Sequence, residues 1–136
     1  MERQAIALVG LAVLLFSACG GEAQPSPRMF AGTWDGHTRR LVIRADGRGH
    51  EIISSGCCTP VVTARFRLLN ASGTKEKAVT TRKFTSVRVD KGIFAESHRP
   101  PPRAGQVATL RLVHGVITDE ATTGTFCAVG VEKCGL

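Results

Sequence analysis

The sequence predicts an all-β fold, a small antiparallel barrel or sandwich of about seven or eight strands stapled by disulfides. Three observations point there. Apolar residues alternate with polar ones at period two through much of the chain, and beyond residue 18 no stretch of helical length carries a 3.6-residue apolar period. Turn residues separate the alternating runs at short intervals. Four cysteines beyond residue 19 suit a small exported domain that needs cross-links.

The elements follow in order. Phe30-Ala31-Gly32-Thr33-Trp34 opens the domain as a first strand that buries Phe30 and Trp34. A strand over 41–44 ends at Asp46-Gly47, a hairpin signal because glycine takes positive φ without steric cost. Residues 50–54 form the returning strand. Val62, Ala64, Phe66 and Leu68 alternate with Thr63, Arg65 and Arg67, which gives one apolar and one basic face. Asn70-Ala71-Ser72-Gly73 reads as a turn. Residues 78–90 carry a long strand or two, with Phe84, Val87 and Val89 as its apolar members, and 92–97 a short one. Ala108, Leu110 and Leu112 alternate with Thr109 and Arg111, and strands over 116–118 and 123–129 finish the sheet. The longest break, His98-Arg99-Pro100-Pro101-Pro102-Arg103-Ala104-Gly105, cannot join a central strand and reads as a basic polyproline-like connector, with a partner-binding loop as the alternative.

The first residues carry a different signal. An apolar run of about 14 residues, 5–18, is too short for the roughly 20 residues that span a bilayer as a helix. It ends at Phe16-Ser17-Ala18-Cys19, which resembles the lipobox of bacterial lipoproteins. That resemblance implies a signal peptide over 1–18, cleavage before Cys19, and a diacylglyceryl group on its thiol. Two acyl chains hold stably where one binds marginally. An ordinary secretory site after Gly20 is the alternative, with Ala18 and Gly20 as the small pair. Residues 19–28, rich in Gly, Pro and Ser, read as a flexible lipidated tether, and 29–136 as a single domain. Such a tether reaches at most roughly 35 Å, which keeps the domain close to the membrane.

The chain has 136 residues, five cysteines and a net charge of +7. With Cys19 given to lipid, Cys57, Cys58, Cys127 and Cys134 can pair without remainder. A Cys57–Cys58 bridge is disfavoured, since adjacent Cα atoms lie only about 3.8 Å apart. The two remaining connectivities tie the middle of the chain to its C-terminus, each bridge contributing about 2–4 kcal/mol. The spacing does not fit a zinc knuckle, and His37, His50, His98 and His114 are scattered, so neither metal nor cofactor is expected. Of these, His37 lies nearest the Trp34 strand.

A basic domain held near a membrane gains about 1 kcal/mol per well-placed cation from anionic lipid. The charge reads first as a solvated basic surface, with contact to anionic lipid or a cell-wall polymer as the alternative, in addition to membrane lipid through Cys19. No helix-turn-helix, zinc finger or aromatic RNP-type strand is present, so nucleic acid is not expected. Nor is catalysis: there is no G-x-S-x-G elbow. Asp119-Glu120 would face opposite sides of a strand or be solvated in a turn.

Phe30-x-Gly32-x-Trp34 is similar to the opening of calycins, the barrel group that contains lipocalins. That resemblance covers five residues and implies structural roles for Gly32 and Trp34. It also implies a barrel able to hold a small ligand, with Trp34, Phe66 and Leu110 as candidate lining or core. The stretch from Phe30 to Arg39, with Asp46-Gly47 and Cys127…Cys134-Gly135, is similar to small lipoproteins of GC-rich bacteria that carry no assigned activity. The expectation is thus a lipid-anchored, extracytoplasmic, non-enzymatic binding module at the cell membrane. The alternative is a structural or interaction lipoprotein acting through its basic face, with a hydrolase as a minor third.

Overall fold

The computed structural model describes residues 26–56, 58–90, 100–122 and 124–130. Eight antiparallel strands form a closed barrel in which each pairs with its neighbour in sequence and the last pairs with the first. They are β1 (Gly32–Gly36), β2 (Arg39–Ile43), β3 (Arg48–Ser55), β4 (Thr59–Gly73), β5 (Lys77–Val89), β6 (Val107–Val113), β7 (Val116–Asp119) and β8 (Gly124–Ala128). The signal segment 1–18, Cys19, most of the tether, Cys57, Cys134, His98 and the strand expected over 92–97 lie outside the described residues. Among the described residues no helix is long and apolar enough to cross a membrane.

Alternation builds the core. Leu41 and Ile43 of β2, Ala64, Phe66 and Leu68 of β4, Leu110 and Leu112 of β6, Ile117 of β7 and Phe126 of β8 all point inward into one apolar cluster. The odd-numbered connections and the N-terminus fall at opposite ends of such a meander. The N-terminal end, or base, is closed by a 3-10 turn over Pro27–Phe30, capped by Ser26. Phe30 is fully buried there, and the Trp34 indole donates to the Phe30 carbonyl at 2.9 Å. Pro27 and Arg28 thus belong to the fold rather than the tether. Phe30 sits in this plug, so β1 starts two residues later than the sequence pattern indicates.

The β2–β3 hairpin forms at Asp46-Gly47 as expected. Gly47 takes φ 82°, its N–H donates to the Arg44 carbonyl at 2.9 Å, and the Arg48 N–H donates to the Asp46 carboxylate at 3.0 Å. That last bond holds the Asp46 carboxyl below its ordinary range.

Asn70-Ala71-Ser72-Gly73 is not a turn. β4 continues through it with a bulge between Leu69 and Ser72, and the reversal comes at Thr74, where the N–H of Thr74 donates to the Lys77 carbonyl at 2.8 Å. The physical reason is local. Asn70, a residue that tolerates the left-handed region, takes φ 54° and absorbs the extra residue inside the strand. The Leu69 carbonyl at the bulge accepts from the buried Thr80 hydroxyl at 2.9 Å. β5 is one strand, and its inward members are Ala78, Thr80, Arg82 and Phe84, while Val87 and Val89 are half-buried.

Gly49 is required where it stands. A Cβ there would lie 2.4 Å from the Phe66 ring and 2.6 Å from the Val42 carbonyl oxygen. Gly49→Ala should therefore destabilise the barrel by about 1–3 kcal/mol, read by urea unfolding. An unchanged midpoint would show that the ring can move aside.

Candidate functional site

Two regions carry the chemistry-bearing side chains: a polar ring beneath the open end of the barrel, and a basic wall outside it.

The ring arises because three strands place a charged residue at an inward position. Glu51 of β3 faces Leu41 and Ala64; Arg82 of β5 faces Leu68 and Ala108; Asp119 ends β7 opposite Leu110. All three are at most 1% exposed. The Arg82 guanidinium donates to Glu51 Oε2 at 2.7 Å and, through its other terminal nitrogen, to Asp119 Oδ2. Asp119 also accepts from the Thr122 hydroxyl at 2.5 Å and from the Ala121 N–H at 3.0 Å. Arg39 donates to Thr122 at 2.8 Å and lies 3.7 Å from Glu51 Oε1. The circuit Arg39, Thr122, Asp119, Arg82, Glu51 closes on itself with two cations and two carboxylates. The Arg82 guanidinium carbon lies 4.5 Å from the Phe84 ring centre and 5.2 Å from that of Phe66, an arrangement favourable for cation–π attraction. Glu51 Oε1 and Arg82 Nε have no hydrogen-bond partner.

Asp119 is therefore buried and ion-paired while Glu120 is exposed, so of the two placements the sequence left open, opposite faces of a strand or a solvated turn, the first holds for Asp119. It shares the phase of Ile117, and the turn it enters folds back over it. Glu120 alone is exposed, bonded to Arg111 at 2.7 Å.

Above the ring an open cleft of about 760 Å³ is bounded by Arg39, Thr122 and residues 100–106. Pro102 is buried against the barrel rather than standing free in a solvated loop. A neighbouring cleft of about 640 Å³ brings Asp35, His37 and Ser54 to one surface. No hydrogen bond joins these three, and the Asp35 carboxylate is held by Arg40 at 2.7 Å, which raises the Arg40 pKa. His37 is exposed beside Thr38, a β-branched residue at φ 56°. His50 lies on the outer wall of β3, and His114 in the β6–β7 turn. Among the described residues no group of His, Cys, Asp and Glu is arranged to hold a metal.

The expected ligand or core residues Trp34, Phe66 and Leu110 all belong to the single apolar cluster, 6%, 2% and 0% exposed. Cys58 lies just before β4. Cys127, opposite Asp35 and Val116, points outward by register yet is only 3% exposed.

The second region is the outer wall of β3, β4 and β5. Register places Arg48 directly opposite Arg67, and Arg67 directly opposite Lys83. One step along, His50 faces Arg65, which faces Ser86. Arg48, Arg65, Arg67 and Lys83 are exposed and make no ion pair among the described residues. Arg44, Arg48, His50, Arg65, Arg67 and Thr85 border a shallow groove of about 410 Å³. The one carboxylate at its edge, Asp46, lies 3.6 Å from Arg44. The sequence shows Arg65 and Arg67 as a basic face. It does not show that Arg48 and Lys83 flank Arg67, because that depends on the hairpin register and on a bulge between Arg65 and Phe66.

No protein-family model, curated protein or solved structure matches the chain.

Proposed function

We propose that this chain is a lipid-anchored, extracytoplasmic, non-enzymatic binding module of the cell envelope, and that it binds an anionic partner through the outer wall of β3, β4 and β5. The observation that carries the reading is the row Arg48, Arg67, Lys83. Like charges directly opposite in a sheet are destabilising, yet three stand in line here with no ion pair among the described residues and Asp46 as the carboxylate at the edge. A surface that maintains such repulsion gains when an anion spans it. The interior supports the outer wall over a barrel ligand, because Trp34, Phe66 and Leu110 share one cluster and the Arg82 guanidinium lies over Phe66.

Arg67→Thr tests this in one protein. Removing the central cation and inserting a good strand former should stabilise the free barrel by roughly 0.2–1 kcal/mol. It should also weaken binding to inorganic polyphosphate and flatten its dependence on salt. Undiminished polyphosphate binding by the variant, with the wild-type salt slope, would refute the assignment of this face.

A further inference from the structure

We infer that the anionic partner of this face is the headgroup layer of the membrane that holds the chain's own anchor, so that the barrel docks on that membrane with its β3–β4–β5 wall. This rests on the lipid anchor at Cys19 and on the basic wall just described.

The argument is one of position. The 3-10 turn sets Pro27 beside Gly47 and Leu68; a Cβ on Gly47 would lie 3.2 Å from the Pro27 ring and 3.5 Å from Leu68. Gly47 and Leu68 are the chain neighbours of Arg48 and Arg67. The chain therefore enters the fold beside the row of cations, at the base of the barrel and away from the open end. Seven Cα–Cα steps separate Cys19 from Ser26, so the anchor lies at most about 25 Å from the point of entry. Electrostatic attraction to a charged surface fades over about 10 Å at ordinary ionic strength. A long linker would let the wall drift far beyond that range, whereas seven steps of a Gly-rich chain span about 15 Å root-mean-square, within a factor of two of it. Acyl chains plus adjacent cations make a two-part attachment in which the first element supplies affinity and the second orientation. With the barrel lying on that wall, the end with Arg39, Thr122 and the proline segment points along the bilayer rather than into it.

The test uses the mature chain from residue 19 with Cys19→Ser, so that protein–surface attraction is measured without acyl chains. Cosedimentation is compared for phosphatidylcholine vesicles with and without phosphatidylglycerol, and polyphosphate binding is measured in parallel. The chain should bind only the vesicles containing phosphatidylglycerol. Replacing Arg48, Arg67 and Lys83 together with Gln should weaken that binding on the order of 100-fold, at about five-fold per cation. Replacing Arg40, Arg103 and Arg111, which lie on β2, in the β5–β6 connection and on β6, with Gln removes the same net charge outside that wall and should change binding by less than about ten-fold. Arg48→Lys combined with Arg67→Lys should retain binding, which separates loss of charge from loss of fold. Binding to polyphosphate but not to anionic vesicles overturns the membrane as partner and leaves the basic wall standing. Binding to neither overturns both. Equal loss in the two triple variants overturns the orientation.

Discussion

Arg82→Ala should cost about 3–5 kcal/mol of stability, a large part of the roughly 5–15 kcal/mol that holds a domain of this size together. The guanidinium is fully buried and is the shared partner of Glu51 and Asp119. Its removal leaves Asp119 without a counter-charge and Glu51 with Arg39 alone at 3.7 Å, and opens a void between Phe66 and Phe84. Urea unfolding of wild type and variant gives the difference directly. The companion variant is Arg82→Met with Glu51→Gln and Asp119→Asn. Exchanging the three fully buried charges for neutral groups of similar volume should recover most of the loss, because a buried ion pair mainly repays its own desolvation. If the triple variant is no more stable than Arg82→Ala, the ring contributes through specific hydrogen bonds rather than charge balance.

Trp34→Ala should cost about 3–5 kcal/mol. The indole is 6% exposed, packs in the cluster beside Phe30, and donates to the Phe30 carbonyl. Its loss creates a large cavity at the base and strips a buried carbonyl of its partner. Trp34→Phe separates the two effects. It keeps most of the volume and should lose about 1–3 kcal/mol through the unpaired carbonyl. An equal loss in both variants would place the whole effect in the hydrogen bond.

The all-β meander was legible in the sequence because its signals are local, whereas the choice between barrel and sandwich rests on the distant pairing of β1 with β8. Val62-x-Ala64-x-Phe66-x-Leu68 states its own inner face, and Asp46-Gly47 states its own turn. The errors are places where a local signal was overruled. Asn70 and Gly73 carry turn chemistry, but a bulge absorbs the positive φ and the ladder runs on to Gly73. The polar ring was not legible. Glu51, Arg82 and Asp119 lie 31 and 37 positions from one another in their bonded pairs, and composition gives a charged residue no inward preference. A usable signal was present at Arg82, which holds the phase of Ala78, Thr80 and Phe84 rather than the opposite one. The basic wall was half legible: Arg65 and Arg67 show on one strand, while their neighbours across the sheet depend on register.

The meander also has a seam. Seven strand pairings join neighbours in sequence, but the pairing of β1 with β8 spans the whole domain and consists of Trp34 opposite Ala128 and Asp35 opposite Cys127. Closing that long loop carries the largest chain-entropy cost in the fold and gains the shortest ladder in return. The curled sheet β2–β7 can assemble from local hairpins first, with the seam zipping last around Trp34. Amide exchange should accordingly reach the β1 and β8 protons by partial openings well below the global unfolding free energy, while β4 and β5 exchange only when the whole barrel comes apart.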